Sequence, residues 1–341
     1  MIKQTEIKNG FGESLIIKLG EPIIRTDGTY ASKEEGIFIT EIEGLGPVKA
    51  DIKMGESATR HGGRFNSARA NCRDISFHFL FLDINGLTVE DGRLTIYKFF
   101  PLTEEVTVYF NTENRNVRVK GYVESIEPDI FTDQAGATVT IKCPSAWFIL
   151  SGVRNEDVNE FSNLEKMFEF EFADEPSPSL IFNSLEPGKS HEIDYPGEIV
   201  TGMTISIKGK PAENVNATKF RLPTIYNNET REKMAINTNM IEKILNPNWT
   251  GRSTDPSYLP DTDICTIGAD DEILISTVTG NKYVRFIREN KTYNILRALP
   301  LNTDWLTLHP GKNVFSYKCA TDTESYAVDI TMTAFIYVAG V

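Results

Sequence analysis

The last strand-like segment of the chain constrains the fold most strongly. Apolar side chains occupy every second position there: Tyr326, Val328, Ile330, Met332, Ala334, Ile336 and Val338. A period of two places them on one side of an extended strand, whereas a helix would spread them around its surface. The pattern predicts a long terminal β-strand, Tyr326–Val338, with one face buried.

The same alternation recurs along the chain and predicts two hairpins. In the first, the alternating segments 106–110 and 117–123 flank a polar turn, and in the second, 272–278 and 282–287 flank a turn that contains Gly280. Shorter alternating segments lie at 139–143 and 203–207. These patterns predict a mostly β protein, a β-rich α+β chain built from sandwiches.

Helical signals are few. The segment Thr88-Val89-Glu90-Asp91 resembles a capping box and leads into Leu94–Phe100 before Pro101. Gly92 weakens this interpretation and leaves a strand as the alternative. A second, short helix is predicted at Asn239–Leu245, before Pro247.

Length and local composition predict two domains. A chain of 341 residues is long for one hydrophobic core. We place an N-terminal domain at 1–150, a polar and charged linker at 151–163, and a C-terminal β-sandwich at 164–341. The stretch 246–263 is rich in Pro, Asn, Ser, Thr and Asp, and we interpret it as an inserted loop with a contact role.

The charge and cysteine content exclude several classes of protein. A net charge of -13, without a long Lys/Arg run, argues against sequence-specific binding of nucleic acid. It is compatible with a surface along which nucleic acid passes without adhering. The four cysteines are far apart and form no C-x-x-C pair, so neither a zinc site nor a disulfide framework is predicted. No signal peptide or membrane span is evident, and we expect folding in a cytoplasm.

Few residues suggest chemistry. The four histidines, at 61, 78, 191 and 309, lie outside recognised metal motifs. We find no nucleophile elbow, P-loop or dinucleotide fingerprint, and therefore predict no catalytic residue, no cofactor and no metal site. Trp249, in the polar loop, is the single candidate for stacking on a sugar or contacting a partner.

Several segments, taken in order, resemble the distal tail protein family of long-tailed phages. In the first half these are Gly44-Leu45-Gly46-Pro47, Arg118–Glu127 with the sequence R-V-K-G-Y-V-E-S-I-E, and Thr140–Pro144 with T-I-K-C-P. In the second half they are Gly197–Gly202 and the motif W-L-x-L-x-P-G-x-N at 305–313. The Pro310-Gly311 turn is expected to introduce the last hairpin of the chain.

The resemblance implies a structural role in a phage tail tip or baseplate. It implies a β-sandwich or barrel-like N-terminal domain that closes into a hexameric ring, and a galectin-like C-terminal β-sandwich. The ring would continue the DNA channel between a tail tube protein and a lysin-bearing tip protein or receptor-binding fibre. Assembly would take place in the bacterial host cytoplasm. No family residue is catalytic, so none is carried over.

One alternative comes from a different functional class. A carbohydrate-binding module that recognises host cell-surface polysaccharide would need exposed aromatic side chains on a concave face or on loops. Trp249 is its first candidate. A sandwich fold hosts many functions, so the expected galectin-like shape does not itself favour sugar binding.

Overall fold

The structure is a computed structural model that describes residues 2–18, 36–56, 61–83, 88–130, 135–151, 179–182, 190–210, 219–245 and 266–341. Strands predominate in several antiparallel sheets, which confirms the mostly β prediction. The chain divides into two compact units: unit 1 is Met1–Val153 with Tyr337–Val341, and unit 2 is Arg154–Ile336. Residues 152–163 of the predicted linker and the whole loop 246–263 lie outside the described residues.

Unit 1 is built on one large antiparallel sheet. The strands of unit 1 are β1 (Ile2–Lys8), β2 (Ser14–Lys18), β3 (Ile37–Glu43), β4 (Ala50–Glu56), β5 (Gly63–Ala70), β6 (Arg73–Phe81), β7 (Glu105–Thr112), β8 (Asn116–Asp129), β9 (Gly136–Cys143), β10 (Phe148–Ser151) and β21 (Tyr337–Val338). The sheet order is β2-β1-β7-β8-β9-β6-β3, and β10 pairs with both β8 and β21. β4 and β5 pair only with each other and form a separate ribbon.

The core of unit 1 lies on one face of this sheet. Alternate side chains of its strands are buried in a single cluster, which includes Phe77, Phe79 and Phe110. The edge strands β2 and β3 lie near each other, and both contribute to this cluster. The sheet therefore curls around its core as an incompletely closed barrel. The predicted hairpin of 106–110 and 117–123 is confirmed as β7 and β8.

The first predicted helix is confirmed as α1 (Val89–Phe99). The Thr88 side chain accepts a hydrogen bond from the backbone of Asp91, and the Asp91 carboxylate accepts one from the backbone of Thr88, as in a capping box. Gly92 is buried where a Cβ atom would lie 3.0 Å from the ring of Phe81. The glycine therefore permits close packing of the helix on β6, and the alternative of a strand is wrong.

The described residues of unit 2 form two antiparallel sheets. Its strands are β11 (Ser179–Phe182), β12 (His191–Tyr195), β13 (Thr204–Gly209), β14 (Thr224–Asn227), β15 (Glu232–Ala235), β16 (Glu272–Ser276), β17 (Tyr283–Arg288), β18 (Lys291–Asn294), β19 (Gly311–Lys318) and β20 (Val328–Phe335). It also has the helices α2 (Asn239–Leu245) and α3 (Asp322–Ser325) and a 3₁₀ helix at Leu296–Ala298. The sheet orders are β11-β20-β13-β16-β17-β18 and β12-β19-β14-β15.

Each sheet of unit 2 buries one face, as in a sandwich. In β20 the buried residues are Val328, Ile330, Met332 and Ala334. In β19, on the other sheet, Phe315 and Tyr317 are buried. The hydroxyl of Tyr195 in β12 donates a 3.0 Å hydrogen bond to the carbonyl of Phe335 in β20, so the two sheets are also joined by a polar contact. The predictions of a hairpin at 272–287 and of a short helix at 239–245 are confirmed.

Two predictions for the end of the chain are wrong. The expected single strand Tyr326–Val338 is two strands, because β20 ends at Phe335 and β21 begins at Tyr337 in unit 1. Alternation alone could not reveal this break, since Val338 is buried like the residues of β20 but in the core of unit 1. The expected last hairpin is absent: β19 and β20 belong to different sheets, and α3 lies between them in the sequence.

Candidate subunit interface

One face of the β4–β5 ribbon is apolar from its base as far as the pair of Met54 and Phe65, and the pair of Glu56 and Gly63 follows on that face next to the turn. Cross-strand partners in a ribbon share a face, and successive residues of one strand alternate between faces. The register pairs Ala50 with Ala70, Ile52 with Ala68 and Met54 with Phe65. Six apolar residues therefore lie together, and we call them the apolar face of the hairpin: Ala50, Ile52, Met54, Phe65, Ala68 and Ala70.

None of the described residues of unit 1 covers this face. Ile52, Met54 and Phe65 are 55%, 59% and 60% exposed, and every residue of β5 is exposed. An isolated two-stranded ribbon is only marginally stable in water. Contiguous exposed apolar side chains on a folded protein mark sites of association. The apolar face of the hairpin is therefore the best candidate for an interface.

The opposite face of the ribbon is polar. It carries Asp51 and Arg69, which form a 3.3 Å ion pair, and the cross-strand partners Lys53 and Ser67. A β-bulge between Lys53 and Met54 leaves Asn66 without a register partner, and its side chain lies beside Gly55 on the polar face. The bulge keeps Phe65 aligned with Met54, so the separation of polar and apolar residues persists past the bulge as far as this pair.

The charge of the ribbon differs in sign from that of the chain. Segment 50–70 contains four Lys or Arg residues and two Asp or Glu residues, whereas the whole chain has a net charge of -13. A basic ribbon is attracted to an acidic surface, and a second copy of this chain provides one.

This ribbon was not predicted from the sequence, because the bulge at Asn66 interrupts the alternation of β5. A usable signal was present in β4, where Ala50, Ile52 and Met54 alternate with polar residues and Gly. The turn signal Gly62-Gly63 lies where β5 begins, as is typical of a hairpin.

The predicted contact residue, Trp249, lies outside the described residues. The structure does bring together three possible metal ligands in unit 1: ligand atoms of Glu41, Glu43 and His78 lie within 4.8 Å of one another. The bulge of β3 after Ile39 sets Glu41 opposite His78, whose Nδ1 lies 3.2 Å from the hydroxyl of Thr138. The two carboxylates are exposed, and such groups commonly meet on a strand edge without an ion, so this cluster supports no metal function.

Among the described residues, no helix is long and apolar enough to cross a bilayer. The described cysteines are all free: Cys72 is exposed, and Cys143 and Cys319 are buried. Burial raises the pKa of both buried thiols to about 12, so each remains a protonated, unreactive apolar group.

Comparisons with known proteins identify the fold. No family model matches the chain, and no curated protein matches it. The crystal structure of the SPP1 Dit protein, described as a paradigm of the hub adsorption apparatus in phages that infect Gram-positive hosts, is similar over 97% of this chain and 98% of that chain. The TM-score is 0.54 and the sequence identity is 13%. This chain therefore shares the fold of a phage hub protein.

Two further structures match over nearly the whole chain. A chain of the phage P2 baseplate in its activated conformation with Ca has a TM-score of 0.41 at 10% identity, and covers 98% of this chain and 98% of that chain. A chain of the phage p2 baseplate with Sr has a TM-score of 0.38 at 9% identity, with 97% coverage of both chains.

Proposed function

We propose that this chain is a non-enzymatic structural component of a tail tip, in a phage, a prophage or a tail-like particle. Copies of the N-terminal unit form a hexameric ring that acts as a hub. The ring joins the tail tube protein to a tip protein, such as a tail-associated lysin, or to a receptor-binding fibre. Its lumen continues the DNA channel. The likeness in fold to the SPP1 Dit protein over nearly the whole chain supports this assignment.

The observation that carries the proposal is the apolar face of the hairpin. Burying a large apolar side chain stabilises an association by about 1.5 to 3 kcal/mol, and this face offers three of them. A ring arises when one surface of a subunit binds a different surface of the next. We assign the apolar face to one side of that contact, and a second copy of the chain as its occupant.

Charge supports the choice of occupant. The ribbon is basic within an acidic chain, so the negative charge of another copy attracts it. The same net negative charge suits a channel that DNA passes without binding to its wall, because acidic side chains repel the phosphates of the DNA backbone. This agrees with a hub through which DNA passes.

The test is the solution mass of the purified full chain by light scattering, with negative-stain images of the peak. We expect a hexameric ring for the wild type. The double variant Ile52→Ser/Phe65→Ser removes two apolar contacts, and its mass should fall to that of a monomer at the same concentration. The matched control, Lys53→Gln/Ser67→Ala, changes one cross-strand pair on the polar face and should keep the wild-type mass.

Two results would count against the proposal. If the Ile52→Ser/Phe65→Ser variant assembles as well as the wild type, the apolar face is not the contact. If the wild type stays monomeric at high concentration, both alone and with a tail tube protein, the ring itself is excluded.

A further inference from the structure

Arg73 lies at the base of the hairpin and is almost completely buried, with 1% of its surface exposed. All five N–H donors of its guanidinium group are directed at backbone carbonyls. The acceptors are the carbonyl oxygens of Gly44, Gly46 at 2.7 Å, Ala146 at 2.8 and 3.2 Å, and Ala339 at 2.7 Å. One side chain thus ties together three segments that are distant in sequence.

The ring of Phe148 completes the surroundings of this cation. The centre of the guanidinium lies 4.0 Å from the ring centroid, a cation–π contact in a desolvated site. Burial lowers the pKa of Arg73 from its ordinary value, because desolvation disfavours the charged form. A buried arginine satisfied only by carbonyls holds these backbones at fixed distances from one another.

The last three residues of the chain form one side of this arrangement. The carbonyl of Ala339 accepts from Arg73, and the amide of Val341 donates a 3.1 Å hydrogen bond to the carbonyl of Leu45. Between them, a Cβ atom on Gly340 would lie 3.1 Å from that same carbonyl. The end of the chain therefore packs directly on the backbone of residues 44–46.

These contacts hold both ends of the hairpin. Residues 44–46 lead into β4, which begins at Ala50, and Arg73 begins β6 shortly after β5 ends at Ala70. Gly44 has φ +83°, and a Cβ atom there would collide with the carbonyl of Asp74. The segment that leads into β4 therefore lies directly against the backbone at the start of β6. The two ends of the hairpin are also joined by a 3.4 Å hydrogen bond from the Asn71 amide to the Lys49 carbonyl.

We propose that Arg73 and residues 339–341 form a clamp that fixes the direction in which the hairpin leaves unit 1, and that this clamp is required for copies of the chain to assemble. The ribbon projects from its base, so a small shift of the base moves the apolar face of the hairpin by a larger distance. The second half of this inference rests on the proposed ring. The first half concerns the single chain alone.

The test removes one side of the clamp. A variant that ends at Val338 lacks the Ala339 carbonyl and the Val341 amide, while β21 remains. We expect amide hydrogen exchange in β4, β5 and Asn71 to become about tenfold faster, because local opening of the hairpin base becomes easier. Exchange in β7 and β8 should stay within about twofold of the wild type. The concentration required for ring formation should rise by about tenfold or more.

A milder pair of variants serves if the shortened chain does not fold. Gly340→Ala adds a methyl group against the Leu45 carbonyl and should weaken the clamp. Gly46→Ala adds the same methyl group within the same segment, but into open space, with no atom within 4 Å. The first should show the faster hairpin exchange and the second should not.

The outcomes separate this inference from the proposed function. If amide exchange in the hairpin is unchanged, the proposed clamp is wrong. If exchange in β7 and β8 becomes faster by the same factor, these contacts only stabilise unit 1 as a whole, and the clamp is wrong as well. Faster hairpin exchange with normal assembly overturns only the requirement for assembly. If the wild type forms no ring, the proposed function fails, while the exchange comparison still decides whether the clamp positions the hairpin.

Discussion

Two hairpins of unit 1 have the same alternating design but opposite surroundings. In β7–β8, one face carries Val106, Val108 and Phe110, and all three are buried in the core. In β4–β5, one face carries six adjacent apolar residues, but its large side chains are more than half exposed. An alternating pattern therefore shows that a ribbon has an apolar face, and it does not show whether the same chain or another molecule covers that face.

The strongest test of this contrast compares one phenylalanine from each hairpin. Phe110 is completely buried and lies 6.1 Å from the Phe77 ring and 5.9 Å from the Phe148 ring, measured between centroids. We expect Phe110→Ala to lower the free energy of unfolding by about 3 to 5 kcal/mol. Phe65→Ala should change it by about 0.5 kcal/mol or less, because the side chain is exposed. Urea unfolding, at concentrations too low for assembly, measures both.

An equal loss in the two variants would contradict the comparison. It would mean that the apolar face of the hairpin is packed within its own chain in solution, and that the interface must be sought elsewhere.

A pair of glycines tests how closely other atoms pack against the backbone in each of the two hairpins. In β8, a Cβ atom on Gly121 would lie 2.5 Å from the Ile141 side chain and 2.8 Å from the Cys143 sulfur. In β4, a Cβ atom on Gly55 would meet only the end of the flexible Asn66 side chain, at 3.1 Å. We expect Gly121→Ala to cost about 1 to 3 kcal/mol through overpacking.

Gly55→Ala is the control for that variant and should be neutral to within about 0.5 kcal/mol, or slightly stabilising. The shift in thermal midpoint under identical conditions measures both substitutions. Similar losses would indicate that the ribbon is as tightly constrained as the sheet.

The smallest expected effect concerns the pH dependence of the free energy of unfolding and the buried thiol of Cys143. Cys143, in β9 behind β8, has a folded-state pKa of about 12 because it is desolvated. A raised pKa gives stability that is complete below the pKa of the unfolded thiol and is lost as the pH rises toward the folded value. Between about pH 8 and pH 10, the wild type should therefore lose about 1 kcal/mol more stability than Cys143→Ala.

If Cys143→Ala shows the same pH dependence as the wild type, the thiol is not buried as the structure describes.

The parts of the fold that were predicted are those with local signals. The hairpin of β7 and β8, the hairpin of β16 and β17, and the helices α1 and α2 each combine a regular apolar period with recognisable turn or capping residues. The candidate interface was missed because a bulge disturbs the period of β5 by one residue. The domain boundaries, the loop 246–263 and the contact role of Trp249 remain predictions.

By itself, the sequence determined that this chain is rich in antiparallel strands, acidic, and without a recognisable catalytic or metal-binding motif. Only the tertiary structure decided where the end of the chain lies. Residues 326–338 read as one uniform strand, yet the chain leaves the sheet of unit 2 after Phe335 and pairs in unit 1 from Tyr337. The physical reason is that alternation specifies which side chains must be buried, while long-range pairing decides which core receives them.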